Sequence, residues 1–444
     1  MTTVTTIATL TPQAADGQVI KVTGGHPLMG RIRVQGSKNV ALHLYAAALL
    51  AETELVLHRA PAILDTGVCA QILTHTGTHS HAPGDGTFHV IPTPRLRPVI
   101  HHDLGAKVRT TAVLAAAVLA CAGSVDFPVP GGDAFCPRLI DRHLAAMEAV
   151  GAEVTVDEHG RTIHAGLPAG RELRPFRVDV ATPYGPSLGA TVTALLLAAR
   201  VPGECLITSP SIEPEVTETV RFLAERGVRA AWDDEGLHVH GVDGIEGGRF
   251  TVAGDRTEAA TMIMATAVTG GTIDLDGITL PELPDAQRQV LADAGLNLTS
   301  HCGGIRAAVG AGGLRAVRAR TGPHPGLPTD TAPQLAALLT QAVGTSHVFE
   351  AVYPRRDTHV APLRAFGADI ASTGQDIRIH GPARLRAADV QAADIRAVTA
   401  LLIAALAADG TSTIGGMYHL ARGYGRLLPN LAALGADITT TAEA

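Results

Sequence analysis

The stretch Val129-Pro-Gly-Gly-Asp-Ala-Phe-Cys-Pro-Arg138 combines residue types that could do acid–base chemistry beside an anion. Gly131 and Gly132 let the backbone turn sharply, and the turn presents Asp133 at a loop tip. Arg138 stands where a helix is read over 139–150, and a helix start already favours anions. A proton donor next to an anion clamp suits chemistry on a small phosphorylated acid. The same residues would equally make a surface turn with a solvated Asp. Cation usage narrows the choice. Of the 35 basic residues only Lys21, Lys38 and Lys107 are lysines. Where nearly every cation is Arg, a retained Lys points to a need for a compact point charge.

Composition bounds what could position these groups. The chain has 444 residues, too many for one simple core, with 46% hydrophobic and 17% charged residues, as in globular proteins. A net charge of −7 argues against a general nucleic-acid binder. Five scattered cysteines without metal-ligand spacing fit a reduced, cytoplasmic setting, with no metal and no cofactor expected. No signal peptide is read at the start. The longest apolar run, 110–123, is too short to span a membrane.

One pattern recurs along the chain. An apolar residue precedes a Gly by four positions: Leu73…Gly77, Met147…Gly151, Leu223…Gly227, Leu291…Gly295, Leu363…Gly367 and Leu431…Gly435. Each Gly is a natural left-handed stop after an amphipathic helix. Upstream of each lies a more apolar helix, read over 41–51, 110–122, 190–200, 259–269, 332–343 and 397–408, which should be buried. Short strands follow, at 54–58, 124–127, 205–208, 272–275, 346–350 and 412–415. Six such units divide into two groups of three, and two domains would leave a cleft for ligands between them.

Gly36-Ser-Lys-Asn39, Pro130-Gly-Gly-Asp133, Ser187-Leu-Gly-Ala-Thr191, Glu213-Pro-Glu215, Asp255-Arg256, Thr321-Gly-Pro-His-Pro325, Pro328-Thr-Asp330, Asp394-Ile-Arg396 and Tyr418-His-Leu-Ala-Arg-Gly-Tyr424 carry a family resemblance. Together they resemble the enolpyruvyl transferases, and within them the branch acting on UDP-N-acetylglucosamine. The resemblance runs from about Gly24 onward and implies an α/β fold: a two-domain inside-out α/β barrel of six βαβαββ repeats, three per domain. It places one domain over 38–253 and forms the other from 1–37 with 254–444. It also implies phosphoenolpyruvate as co-substrate and a uridine nucleotide as acceptor.

The resemblance assigns roles position by position. Lys38 would hold the phosphate of phosphoenolpyruvate, with Asn39 beside it. Arg109 is a further cleft cation. Arg138 would be shared between phosphoenolpyruvate and the acceptor phosphate. Arg396 and Arg422 would engage the carboxylate and phosphate, anions that suit forked guanidinium donors. Asp133 falls where many members carry a reactive Cys that donates the proton; others carry Asp. To donate near neutrality Asp133 would need a raised pKa. Asp330 matches the carboxylate that takes the acceptor's hydroxyl proton, although its place before the 332–343 helix also suits an N-cap. Asp394 carries the same ambiguity. Ser187, Gly189, Arg256, His324, Val352 and Arg356 complete the substrate-binding candidates, and His419 matches a rim histidine.

The acceptor side departs from the family pattern. An apolar contact to the uracil ring is replaced by Arg142, a cation for the diphosphate by Gly185, and a Phe-Glu-Asn-Arg segment by Tyr353-Pro-Arg-Arg356. An Asp before the last arginine is Ala421. These changes fall on sugar and nucleotide contacts more than on phosphoenolpyruvate contacts. Related transferases of nucleoside-antibiotic pathways use UMP, which has one phosphate and no amino sugar. UMP is therefore the preferred expectation, with UDP-N-acetylglucosamine in peptidoglycan synthesis as alternative. A non-catalytic nucleotide-binding paralogue is the alternative of another class, but it would be expected to lose Asp133, Asp330 or the arginines.

Overall fold

The computed structural model describes residues 17–131 and 139–442, so Asp133, Arg138 and Cys136 lie outside the described residues. These residues fall into two compact units, one drawn from 1–37 with 254–444 and the other from 38–253. The C-terminal unit, as the first is called here, receives its N-terminal strands Gln18–Thr23 and Met29–Arg33 from the start of the chain. Gly36 bridges Gly254 where the chain leaves and re-enters that unit.

Each unit is built from three small sheets packed around apolar helices. The helices are α1 (Lys38–Ala47), α2 (Thr111–Ala122) and α3 (Leu188–Ala198) in the central unit, and α4 (Arg256–Val268), α5 (Ala332–Leu339) and α6 (Ile395–Ala407) in the C-terminal unit. Residues such as Leu114, Leu195, Ile263, Leu338 and Leu401 are fully buried in them. The helices are Ala-rich because inner helices packed on all sides need slim side chains to approach closely. In each unit one sheet joins two strands by parallel pairing across such a helix. Arg177–Asp179 lies parallel to Glu204–Thr208 across α3, and Asp389–Gln391 parallel to Thr411–Gly415 across α6. Antiparallel hairpins extend the sheets, as where Gly344–Phe349 pairs Asp376–Gly381. Among the described residues there are three sheets of three or four strands per unit, and five of these six hold one parallel pair; in the sixth, Ser124–Pro128, Thr162–Gly166 and Glu153–Val156 pair antiparallel.

The six helix-stopping glycines all adopt positive φ, between 90° and 112°. At five of them the residue after the Gly donates its N–H to the carbonyl of the apolar residue four before it, as Thr78 to Leu73 (3.1 Å) and Ala436 to Leu431 (3.0 Å). This is the Schellman closure, which satisfies carbonyls left open at a helix end. Helix ends elsewhere differ from the sequence reading by a few residues. The helix read over 139–150 runs Asp141–Ala149. The helix read over 332–343 ends at Leu339, where Thr340 caps it and its hydroxyl donates to the Ala337 carbonyl.

Candidate active site

In the C-terminal unit the candidates converge on one carboxylate. Asp330 lies in a short 3-10 turn, Thr329–Thr331, ahead of α5. Its side chain does not cap the helix; Thr331 occupies the N-cap position without a side-chain bond. Instead Oδ1 accepts from Arg356 Nη2 at 2.7 Å and Oδ2 from Arg396 Nη2 at 2.5 Å. Both guanidinium groups are buried, 5% and 7% exposed, while the Asp330 side chain keeps 27% of its surface. Desolvation alone would raise the carboxyl pKa, but the charges of Arg396 and Arg356 and their hydrogen bonds outweigh it and hold the pKa well below the usual carboxylate range. Burial alone would lower the Arg396 pKa, but the Asp330 charge raises it further.

The sequence places these groups through helix ends. Asp394 is the N-cap of α6: Oδ1 accepts from the Arg396 and Ala397 N–H groups at 2.8 and 2.9 Å, and Oδ2 from the Thr358 hydroxyl. The cap reading therefore holds for Asp394 in geometry, and the cap fixes the turn that carries Arg396. Asp255 caps α4 in the same way, with Arg256 as the next residue. Arg256 Nη1 lies 3.5 Å from His324 Nδ1. Arg356 also donates to Thr329 Oγ1 at 2.9 Å. Buried Glu350 organises the loop around it, accepting from Thr321, Thr329 and the Val352 and Tyr353 N–H groups at 2.7–3.0 Å. Arg422 is 8% exposed and ends the helix Met417–Ala421, which also carries His419. The next residues are tied to the N-terminal segment: Gln35 Nε2 donates to the Gly423 carbonyl and Gly425 N–H to Gln35 Oε1, at 2.9 and 3.3 Å.

The central unit holds a second cluster. Lys38 and Asn39 open α1. Lys38 Nζ pairs with Asp65 Oδ2 at 2.8 Å, both largely buried, and Asn39 Nδ2 donates to Glu215 Oε1 at 3.3 Å. His43 follows one turn later in α1. Burial lowers its pKa to about 4, with Glu215 opposing and the Arg109 charge assisting. His143 is buried too, its Nδ1 2.7 Å from Thr193 Oγ1, and burial with the Arg109 and His43 charges lowers its pKa to about 3. Arg109 itself precedes α2 and is exposed. Ser187 caps α3, accepting from Ala190 N–H at 3.3 Å. At Gly189 a Cβ would stand 2.9 Å from His143 Cε1, so this glycine makes room for the imidazole.

Gly185 sits at φ +108° in a tight hairpin whose Thr182 hydroxyl donates to the Gly185 carbonyl at 2.7 Å. Tyr184 beside it is 60% exposed. The Arg142 charge reaches Asp179, just before this hairpin, and helps to lower that carboxyl pKa, after its hydrogen bond from the Ala181 N–H. Spacing did not single out Asp65, Glu350, His43, His143 or Tyr424. Tyr424 stood within a quoted motif, but only its hydrogen bond from Arg396 Nη1, at 2.8 Å, shows it to be a partner of that arginine. Among the described residues no group of three or more His, Cys, Asp or Glu is placed to hold a metal ion. No helix among them is long and apolar enough to cross a membrane. A surface depression lined by Arg177, Thr208, Trp232 and Asp233 contains none of the candidates.

Comparison with known proteins bears on this arrangement. Residues 22–431 match the family described as EPSP synthase (3-phosphoshikimate 1-carboxyvinyltransferase). UDP-N-acetylglucosamine 1-carboxyvinyltransferase of Rhodopseudomonas palustris is 36% identical over 429 residues, covering 94% of this chain and 98% of the relative. The enzyme of that name from Nitrobacter winogradskyi is 36% identical with the same coverage. Among solved structures, the enolpyruvyl transferase NikO from Streptomyces tendae matches with a TM-score of 0.87 at 26% identity, over 96% of this chain and 99% of that one. EPSP synthase from Acinetobacter baumannii matches with a TM-score of 0.76 at 18% identity, over 96% and 99%, which shows the shared fold. The inside-out α/β architecture expected from the sequence agrees with these matches.

Proposed function

The chain belongs to the EPSP synthase family of enolpyruvyl transferases, and from that premise we propose that it moves the enolpyruvyl group of phosphoenolpyruvate to a hydroxyl of UMP with release of phosphate. The acceptor oxygen adds to C2 of phosphoenolpyruvate. Asp330 takes the hydroxyl proton and Asp133 protonates C3. A proton then leaves C3, the bond from C2 to the phosphate oxygen breaks, and the enol ether and inorganic phosphate result. Lys38, Arg396 and Arg422 supply fixed positive charge to the phosphate and carboxylate, where such preorganised charge stabilises a transition state most. Arg109, Arg138, Arg256, Arg356, Asn39, Ser187, Gly189, His324, Val352 and Asp394 bind or frame the substrates in this reading.

The observation that favours UMP is Gly185. The resemblance asks for a diphosphate cation at that position, and a glycine in a tight turn offers no side chain there. An acceptor with one phosphate has no second phosphate to be matched. The second reading, UDP-N-acetylglucosamine as acceptor, is supported by the 36% identity to enzymes of that name over nearly the whole chain. Phosphate release from phosphoenolpyruvate, measured with UMP and with UDP-N-acetylglucosamine offered separately, decides between them. Turnover with UMP and none with the nucleotide sugar is the expected result. The reverse overturns the UMP assignment and leaves enolpyruvyl transfer standing.

A further inference from the structure

We propose that Tyr424 is a positioning residue that sets the Arg396 guanidinium against Asp330; the proposal rests on the reading of Asp330 as the group that accepts the acceptor's proton. Tyr424 is the largest side chain buried below 2% exposure. Its Oη receives a hydrogen bond from Arg396 Nη1 at 2.8 Å. The opposite arm of the same guanidinium, Nη2, is the one that meets Asp330 at 2.5 Å. Arg396 is thereby held at three points, because its backbone N–H is bound by the Asp394 cap.

The direction of each hydrogen bond follows from the donors available. A guanidinium only donates, so Tyr424 Oη must accept from it. The phenol proton then needs an acceptor, since a buried unpaired donor is costly. Thr261 Oγ1, 3.4 Å away, is that acceptor. Thr261 in turn donates to the Thr257 carbonyl in α4 at 2.7 Å. A one-way chain therefore runs Arg396 → Tyr424 → Thr261 → Thr257 and anchors an α6 side chain to the α4 backbone. Gln334 of α5 donates toward the same two oxygens, at 3.5 Å to Tyr424 and 3.4 Å to Thr261. Three buried helices thus fix one hydroxyl. Arg396 Nε is buried and has no hydrogen-bond partner among the described residues, so the guanidinium is held through its two Nη arms. The charged and titratable groups that bear on the cluster are Asp330, Arg356, Asp255 and Tyr424 itself, with Asp394 at the cap.

The consequence is that loosening Arg396 must strengthen Asp330 as a base for its proton, while spoiling the geometry in which it works. Tyr424→Phe removes only Oη and keeps the ring, whose centroid lies 5.7 Å from the guanidinium carbon. Turnover is expected to fall about ten- to a hundredfold, the range for a hydrogen bond to a charged group. The acid limb of kcat/KM against pH is expected to move to higher pH, because Arg396 then holds the carboxylate less firmly. A purely structural tyrosine would lower turnover and leave that limb in place, and this outcome overturns the proposal, as does parental behaviour in both readouts. Asp330→Asn in the same assay separates the two levels of inference. Retained turnover there overturns the role of Asp330 and the proposal with it; lost turnover there with a parental Tyr424→Phe overturns the proposal alone. If Tyr424→Phe does not fold, Thr261→Val, which deletes the acceptor of the phenol proton, decides by the same shift of the acid limb, smaller in size.

Discussion

The two clusters treat charge in opposite ways. In the C-terminal unit one carboxylate faces two guanidinium groups, so Asp330 is held ionised by surplus positive charge. In the central unit charges are paired one to one, Lys38 with Asp65, and the buried imidazoles of His43 and His143 are kept neutral by desolvation. The first arrangement has cationic capacity beyond its own carboxylate and suits an anion. The second binds its lysine closely to a carboxylate and keeps two nearby imidazoles uncharged at neutral pH. The difference shows that burial has no fixed electrostatic outcome: it neutralises a histidine with an arginine nearby and is overridden at a carboxylate with two.

The largest effect is expected from breaking the C-terminal cluster. Asp330→Asn should cut turnover by about 10²–10⁴-fold, the usual contribution of a positioned general base, and should lower thermal stability because Arg356 and Arg396 then lose the carboxylate they share. Phosphate release and a melting curve check both parts; near-parental turnover would remove Asp330 from the chemistry. Breaking the central cluster should be felt more in the fold. Lys38→Ala takes the ion-pair partner from the buried Asp65 carboxylate, at a cost of about 3 kcal/mol, and also removes the proposed phosphate ligand. The double variant Lys38→Ala with Asp65→Asn should regain most of the stability and none of the activity. Recovery of neither would mean that the pair is not what couples them.

Acid sharpens the comparison. His43 and His143 have folded-state pKa values of about 4 and about 3, below the unfolded value near 6.5. The unfolded chain therefore binds more protons as pH drops below about 6.5, and stability falls with it. The loss should reach roughly 2 kcal/mol per histidine by about pH 5. His359 in the C-terminal unit, lowered to about 4 by burial, adds one such group there. Asp330 loses its contribution only below the unfolded carboxylate value, about 3.9. Between about pH 6.5 and 5, amide exchange should accelerate more in α1 and α3 than in α5 and α6, and His143→Gln should reduce the difference. Equal acceleration in both units would contradict it. The smallest effect is expected at Gly189→Ala, where the new methyl group meets the His143 ring and overpacking costs about 1–2 kcal/mol. A melting temperature unchanged from the parent would show that the imidazole moves aside freely.

Much of the architecture was legible because it is local. Each helix stop is a matter of one glycine and the apolar residue four before it, and six such pairs disclosed six repeats. The buried helices were legible from their lack of any polar face. Their exact ends were not: Asp255 and Asp394 extend α4 and α6 toward the N-terminus by capping them, and Thr340 shortens α5, each a contest between one side chain and the next turn. The 130–138 loop, from which the sequence reading set out, lies partly outside the described residues, and the roles of Asp133 and Arg138 rest on sequence alone.

The sequence by itself determined the repeat, the class of side chains available and, through its motifs, the family. It left open what each of those side chains is bonded to. Asp330 could have capped α5, as its position allows, and its place in the chain says nothing of Arg356 or Arg396, 26 and 66 residues further on. Only the packing of α4, α5 and α6 decides that competition. Capping costs a carboxylate little and gains one or two neutral donors, whereas two buried guanidinium groups need a counter-charge and have none nearer. Electrostatics across helix ends fall off with distance in space rather than in sequence. A carboxylate's partner, its pKa and its chemistry are therefore properties of the fold.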